Sequence, residues 1–305
     1  MSVRPTGEQF TLSGAGAEVT VVEVGGGLRS YRAGGRELLD GYGERDLPDA
    51  GRGQLLAPWP NRIRDGRYTW DGEEHQLPLS EPDVANAIHG LVRFVPWSVI
   101  ARSSDTVALG YLLYPQPGYP FVLRLQVAYE LSAAGLRVST TATNEGDVPL
   151  PYGEGHHPYL AAGAGLLVDG CSLVAPGGTR LETDERSIPT GSVPVEGTPY
   201  DLRAGRVVGD LAIDHAFTDL ERDGDGRAWV RLTAPDGRGA AVWQDEGYPH
   251  LQLFTGDVLP GPRRRRGLAV EPMTCPPNAL QTGEDVRRLE PGESTTASWG
   301  ITPLG

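Results

Sequence analysis

The chain is built from short stretches of alternating polarity, each closed by Gly, Pro, Asn or Asp, and no long apolar stripe repeats at helical spacing. Residues 18–24, 106–113, 122–129, 136–142 and 228–233 are runs of this kind. A period of two sends alternate side chains to opposite faces of a strand. The 42 glycines and 26 prolines in 305 residues supply the turns between them. An all-β protein is therefore expected. That many strands do not stay in a single open sheet, so the predicted architecture is a large antiparallel β-sandwich. No Ser- or Pro-rich linker divides the chain and no internal repeat is present, which predicts one domain over residues 1–305.

Composition removes several function classes. A formal charge of −13 opposes a nucleic-acid surface, which needs a net basic footprint. All 27 basic residues are arginine. Without lysine there is no side-chain amine for a Schiff base and no P-loop. The two cysteines, Cys171 and Cys275, form neither a metal-ligand spacing nor a disulfide framework. The first ten residues lack the apolar core of a signal peptide, and no apolar run approaches ~18 residues. A soluble cytoplasmic protein with no membrane partner is expected. The run Arg263–Arg266 lies in a turn-rich segment and reads either as a solvated loop tip or as a rim that attracts anions.

Several polar residues stand in contexts that suit chemistry. Glu271 ends the apolar run Leu268-Ala269-Val270 and directly precedes Pro272. Proline biases the residue before it toward extended backbone. Glu271 thus reads as a strand end, its acid either projecting into a cleft or solvated. His89 precedes Gly90, whose missing Cβ permits a turn or a close backbone approach. His156 and His157 are adjacent; on extended backbone only one of them faces a given pocket. Adjacent ligands diverge, and no His-x-His or His-Glu-x-x-His spacing is present, so no metal site is expected. Asn61 and Arg62 follow a Pro-Trp-Pro turn and offer directional hydrogen bonds suited to vicinal hydroxyls. Asp214 and Gln252 are polar residues among apolar ones. Buried polar groups need partners, and either a polyhydroxyl ligand or an ordinary structural hydrogen bond would provide them.

Asn61-Arg62-Ile63, Ile88-His89-Gly90, His157-Pro158-Tyr159-Leu160, Asp214-His215-Ala216-Phe217, residues 252–256 and residues 271–279 occur in the order seen in aldose 1-epimerases. The chain resembles that family, the galactose mutarotases, over about residues 50 to 280 and, through flanking strands, over its whole length. The wording of residues 56–68 and 81–92 is similar to a bacterial subgroup that includes sulfoquinovose mutarotases. The resemblance implies a galactose mutarotase-like β-supersandwich that interconverts α and β anomers of a sugar without a cofactor or a metal. It implies Glu271 as base and His157 as acid, with His89 assisting near the ring oxygen. Asn61, Arg62, Asp214 and Gln252 would hold hydroxyls, and Tyr159 would line the pocket. Near neutral pH an ordinary glutamate is ionised and can take a proton, while an ordinary histidine is still partly protonated and can give one, as paired acid and base catalysis requires.

The implied partner is a small sugar, with no nucleic acid, no membrane and no particular oligomeric state. An anionic sugar such as sulfoquinovose or a hexose 6-phosphate would need a cationic subsite, for which Arg62, Arg64, Arg93 and Arg263–Arg266 are candidates. Two other functions share these residues. One is a glycoside hydrolase using Glu271 and Asp214, and the other a carbohydrate-binding sandwich without turnover.

Overall fold

The alternating runs pair with their neighbours across tight turns, as their spacing requires. In the computed structural model, which describes residues 3–161, 163 and 165–305, Leu123–Ser132 pairs antiparallel with Gly135–Asn144. Leu123, Leu125, Val127, Tyr129 and Leu131 all point to the buried side of that strand. The pair belongs to a nine-stranded sheet. Its spatial order is Ser98–Arg102, Thr106–Leu113, Leu123–Ser132, Gly135–Asn144, Ser294–Leu304, Gly239–Gln244, Ala228–Thr233, Ser172–Val174 and Arg206–Val207. An eight-stranded sheet follows the order Pro189–Pro194, Gly177–Thr183, Asp214–Leu220, His250–Phe254, Gly267–Met273, Gly155–His156 and Leu55–Leu56. Its eighth strand, Tyr159–Ala161, pairs with Gly267–Met273 beside that path.

One buried apolar cluster joins the two sheets. Leu125, Val127, Trp299 and Ile301 come from the first, Leu251, Leu253, Leu268 and Val270 from the second, and Phe10 and Leu12 from an N-terminal hairpin. Each such side chain contributes about 1.5–3 kcal/mol on burial, so this cluster is what holds the sheets face to face. Among the described residues, no helix is long and apolar enough to cross a membrane.

Gly267–Met273 is buried at every position. A strand covered on both faces reads as a near-continuous apolar run, which is why Glu271 stands out in it. The strand continues two residues beyond Glu271 instead of ending there, since Pro272 fits an extended backbone and pairs opposite Leu251. Leu268 and Val270 face the core, and Ala269, Glu271 and Met273 face the other way.

Strand register then assembles a row of polar side chains on that second face. Gln252 lies opposite Glu271, and Ala216 opposite Gln252. One step along, Asp214 lies opposite Phe254, Phe254 opposite Ala269, and Ala269 opposite Tyr159. Residues directly opposite in an antiparallel pair share a face, so Asp214, Gln252, Glu271 and Tyr159 emerge together although up to 112 positions separate them.

Candidate active site

This face forms one wall of a cavity of about 420 Å³. Asn61, Arg62, His89, His157, Tyr159, Asp214, Gln252 and Glu271 all line it, together with Gln54, Ser80, Glu81, Arg93, Phe94 and Phe254. The volume falls within the ~300–1,000 Å³ typical of small-molecule sites.

His157 and Glu271 meet in the wall, with Nε2 3.3 Å from Oε1 and both side chains buried. Burial, followed by the nearby Asp214 carboxylate, raises the Glu271 carboxyl well above its usual range, while Arg62 opposes the rise. Burial pushes the His157 imidazole down to about 3, and the charges of Arg52 and Arg93 add to the effect. Glu271 Oε2 and His157 Nδ1 are buried and have no protein partner, so both keep unused hydrogen-bonding capacity.

Of the tandem histidines, His157 lines the cavity and His156 does not. His156 turns into the space between the sheets, where Nε2 bonds Thr140 Oγ1 at 3.0 Å and the ring packs on Trp299 at 5.0 Å. Opposite side-chain directions at successive extended residues produce the split.

His89 sits in left-handed backbone at φ 63°, an uncommon conformation for a non-glycine residue, and Asn61 does so at 51°. The two clamp each other. His89 N–H donates to the Asn61 carbonyl (2.9 Å), and Asn61 N–H donates to His89 Nδ1 (3.2 Å). Burial first, then the charges of His157, Arg93 and Arg62, hold the His89 imidazole well below its usual value. A neutral ring that accepts at Nδ1 carries its hydrogen on Nε2 and is a donor there. Gly90 makes the arrangement possible, since a Cβ on it would lie 1.9 Å from the Ala57 carbonyl oxygen.

Arg62 is not a free fork. Its Nε and Nη2 grip Glu81 at 2.7 and 3.0 Å. Glu81, 19 positions away, has no sequence signal linking it to Arg62 beyond its place at the head of the 81–92 segment. Gln252 donates to Asp214 Oδ1 at 2.7 Å, and burial raises the Asp214 carboxyl above its usual value.

The remaining arginines separate cleanly. Arg64 pairs with Asp184 at 2.7 Å and does not line the cavity. The Arg263–Arg266 run does not line this cavity, and it is solvated only in part: Arg264 and Arg266 are exposed. Arg265 is buried between Asp169 and Asp257, and Arg263 and Arg266 both reach Asp40. Local carboxylates capture Arg263, Arg265 and Arg266, a contact that sequence spacing cannot show. Arg93 alone of the four candidates lines the cavity with no carboxylate in contact. It donates to the Gln54 side chain and the Ile88 carbonyl, both at 3.3 Å, and its buried Nε has no partner. Burial lowers the Arg93 guanidinium to about 10. Among the described residues three metal-type donors converge at His250, Glu284 and Asp285, and none of these lines the cavity.

Comparison with known proteins is consistent with this geometry. The sequence profile described as aldose 1-epimerase matches residues 8–302. The uncharacterised protein YihR of Escherichia coli is 34% identical over 289 residues, covering 94% of this chain and 91% of its own. Galactose mutarotase from Mus musculus is 27% identical over 265 residues, covering 79% and 75%. Among solved structures, an aldose epimerase homologue from C. elegans superposes with a TM-score of 0.85 at 18% identity, covering 97% and 98%. A galactose 1-epimerase from Lactobacillus acidophilus superposes at 0.80 and 22% identity, covering 96% and 93%. At those identities the structural likeness speaks for the fold.

Proposed function

Because the chain belongs to the aldose 1-epimerase family, whose members are isomerases, we propose that it interconverts the α and β anomers of a hexose or hexose derivative. The observation that carries this reading is the buried Glu271–His157 contact at 3.3 Å in the wall of a sugar-sized cavity. A binding protein has no need of an acid and a base in touch with one another.

The chemistry follows from proton counting. Glu271, as carboxylate, takes the proton of the C1 hydroxyl. His157, as imidazolium, gives a proton to the ring oxygen, the C1–O5 bond breaks, and C1 becomes a carbonyl. After rotation about C1–C2 the flow reverses, with His157 removing the O5 proton and Glu271 returning one to O1. One shared proton is therefore enough for the pair. Without substrate, burial puts it on the carboxyl, because two neutral groups are cheaper to bury than an ion pair. Substrate hydroxyls donating to Glu271 favour its charged form, which moves the same proton to His157. Neutral His89 supplies Nε2–H as a further donor to the ring oxygen. Asn61, Arg62, Asp214 and Gln252 hold hydroxyls, and Tyr159 forms apolar wall. Residues 1–305 act as one domain in this reading, supported by the buried cluster that both ends of the chain enter.

Arg93 supports a finer reading, in which the hexose carries an anionic group such as a sulfonate. A guanidinium held in a cavity by neutral acceptors alone is short of the charge-assisted contacts it makes best. Two-dimensional NMR exchange between anomers tests both levels. Mutarotation predicts exchange faster than the spontaneous rate for at least one of glucose, galactose, glucose 6-phosphate and sulfoquinovose; no acceleration of any sugar removes the enzymatic reading. Release of reducing sugar from a glycoside, without anomer exchange, would instead indicate a hydrolase. The anionic reading predicts higher kcat/KM for the charged sugars, with that advantage lost in Arg93→Gln.

A further inference from the structure

Behind the cavity wall lies a charged network none of whose side chains lines the cavity itself. Arg52 is 1% exposed. Its Nη1 donates to Asp40 Oδ2 (2.8 Å) and to the Asp40 carbonyl (2.9 Å), and its Nε donates to Asp49 Oδ1 (3.0 Å). Asp40, also buried, takes Arg263 Nη1 at 3.2 Å and Arg266 Nε at 3.1 Å on its other oxygen. Three guanidiniums thus converge on a single carboxylate. A buried ion network is a poor source of stability, because desolvation offsets most of the attraction. Its place against the cavity wall points to another use.

The geometry supplies one. The Arg52 guanidinium carbon lies 4.0 Å from the centre of the Tyr159 ring. That ring stacks on the His157 imidazole, 5.0 Å between centres and 15° between planes. Tyr159 cannot rotate freely, since its hydroxyl donates to the Ala50 carbonyl at 2.9 Å. The turn that carries Arg52 also wraps His157. Gly53 N–H donates to the His157 carbonyl (2.9 Å), and His157 N–H donates to the Gln54 carbonyl (3.1 Å). A Cβ on Gly51 would stand 2.5 Å from His157 Cδ2. Around the imidazole the charged and titratable groups are Glu271, His89, Arg93, Tyr159 and Arg52, with Asp40 and Asp49 beyond Arg52.

We propose that Arg52 is a positioning residue for the reaction at His157. Through Tyr159 it fixes the plane of the imidazole, and its charge sets how readily that ring accepts a proton. The role rests on the assignment of His157 as the acid. Arg52 is one of the cations that hold the His157 imidazole low, in support of the electrostatic half.

The test uses the full chain with Arg52→Gln and Arg52→Lys. Three quantities are measured: kcat and KM for anomer exchange, the titration of His157 in 15N-histidine-labelled protein, and folding by circular dichroism. Asp40 keeps Arg263 and Arg266 in both variants, so neither leaves it unpaired. In Arg52→Gln the imidazolium fraction of His157 at fixed pH rises at least about twofold, the effect of a unit charge no more than about 9 Å away even at the dielectric of water, ~80. Exchange slows at least about fivefold in kcat while KM stays within about twofold, because Arg52 is absent from the cavity wall. Arg52→Lys keeps the charge and hence the His157 titration, but it lacks the planar fork and slows kcat. A folded Arg52→Gln with unaltered kcat and unaltered His157 titration overturns the proposal, as does a KM rise that accounts for the whole loss. If Arg52→Gln does not fold, unaltered kcat in Arg52→Lys overturns it. If the wild-type protein exchanges no sugar, mutarotation fails as the function, and the His157 titration in Arg52→Gln still decides the electrostatic half.

Discussion

Replacing Glu271 with glutamine tests the chemistry and the burial argument in one variant. The wild-type carboxyl is fully buried, its Oε2 has no protein partner, and Asp214 lies close enough to disfavour its charge. Its folded pKa is therefore raised, so over the window from the ordinary 4.5 upward the folded state binds more protons than the unfolded chain. Stability then falls as pH rises through that window, by about 1.4 kcal/mol per pH unit. Glutamine cannot ionise and does not share the loss. The depressed pKa of His157 acts the other way, costing stability as pH drops below 6.5 in both proteins, and cancels to first order in the difference. The melting temperature of Glu271→Gln minus that of wild type should thus be lowest near pH 4 and climb through neutral pH, by roughly 2 °C for each pH unit crossed. Over the same range anomer exchange should fall by ~10²–10⁴-fold, the usual worth of a general base. Scanning calorimetry at pH 4, 6 and 8, with NMR exchange on the same samples, gives both numbers. A difference in melting temperature that stays flat or declines with pH refutes the desolvation argument, and exchange within tenfold of wild type refutes the base assignment.

Other expectations follow from the same geometry. His157→Asn should abolish exchange while His156→Asn keeps most of it; the latter should instead lose about 1–3 kcal/mol of stability, because Thr140 is left without its buried partner. The reverse pattern in a polarimetric assay would move the acid role to His156. Because burial lowers the His157 pKa and raises that of Glu271, the one-proton state of the pair persists through acid pH, and kcat/KM should not decline between pH 6.5 and 4.5. A decline centred near 4.5, measured by exchange NMR, would mean that Glu271 titrates as an ordinary carboxyl. Gly90→Ala should destabilise by more than the ~1–2 kcal/mol of left-handed backbone alone, given its close approach to Ala57, and should weaken sugar binding by displacing His89. Chemical denaturation and KM values check both effects.

Local alternation along the chain was enough to indicate strands, turns and a two-sheet body, since side-chain period and turn chemistry depend only on near neighbours. The apolar run ending in Glu271, and the order of short motifs from Asn61 to Ala279, likewise stood in the primary structure and pointed to the family. Three decisions needed the folded chain. Cross-strand register placed Asp214, Gln252 and Glu271 on one face, and no single strand carries that pairing. The direction of the backbone at 156–157 sent one histidine to the core and the other to the cavity. Charge neutralisation divided the arginines: Glu81 takes Arg62, Asp184 takes Arg64, and Asp40 takes Arg263 and Arg266, while Arg93 keeps only neutral partners. Each depends on contacts between residues far apart in the chain, where a few ångströms decide whether a charge is spent on a neighbour or remains available to a ligand.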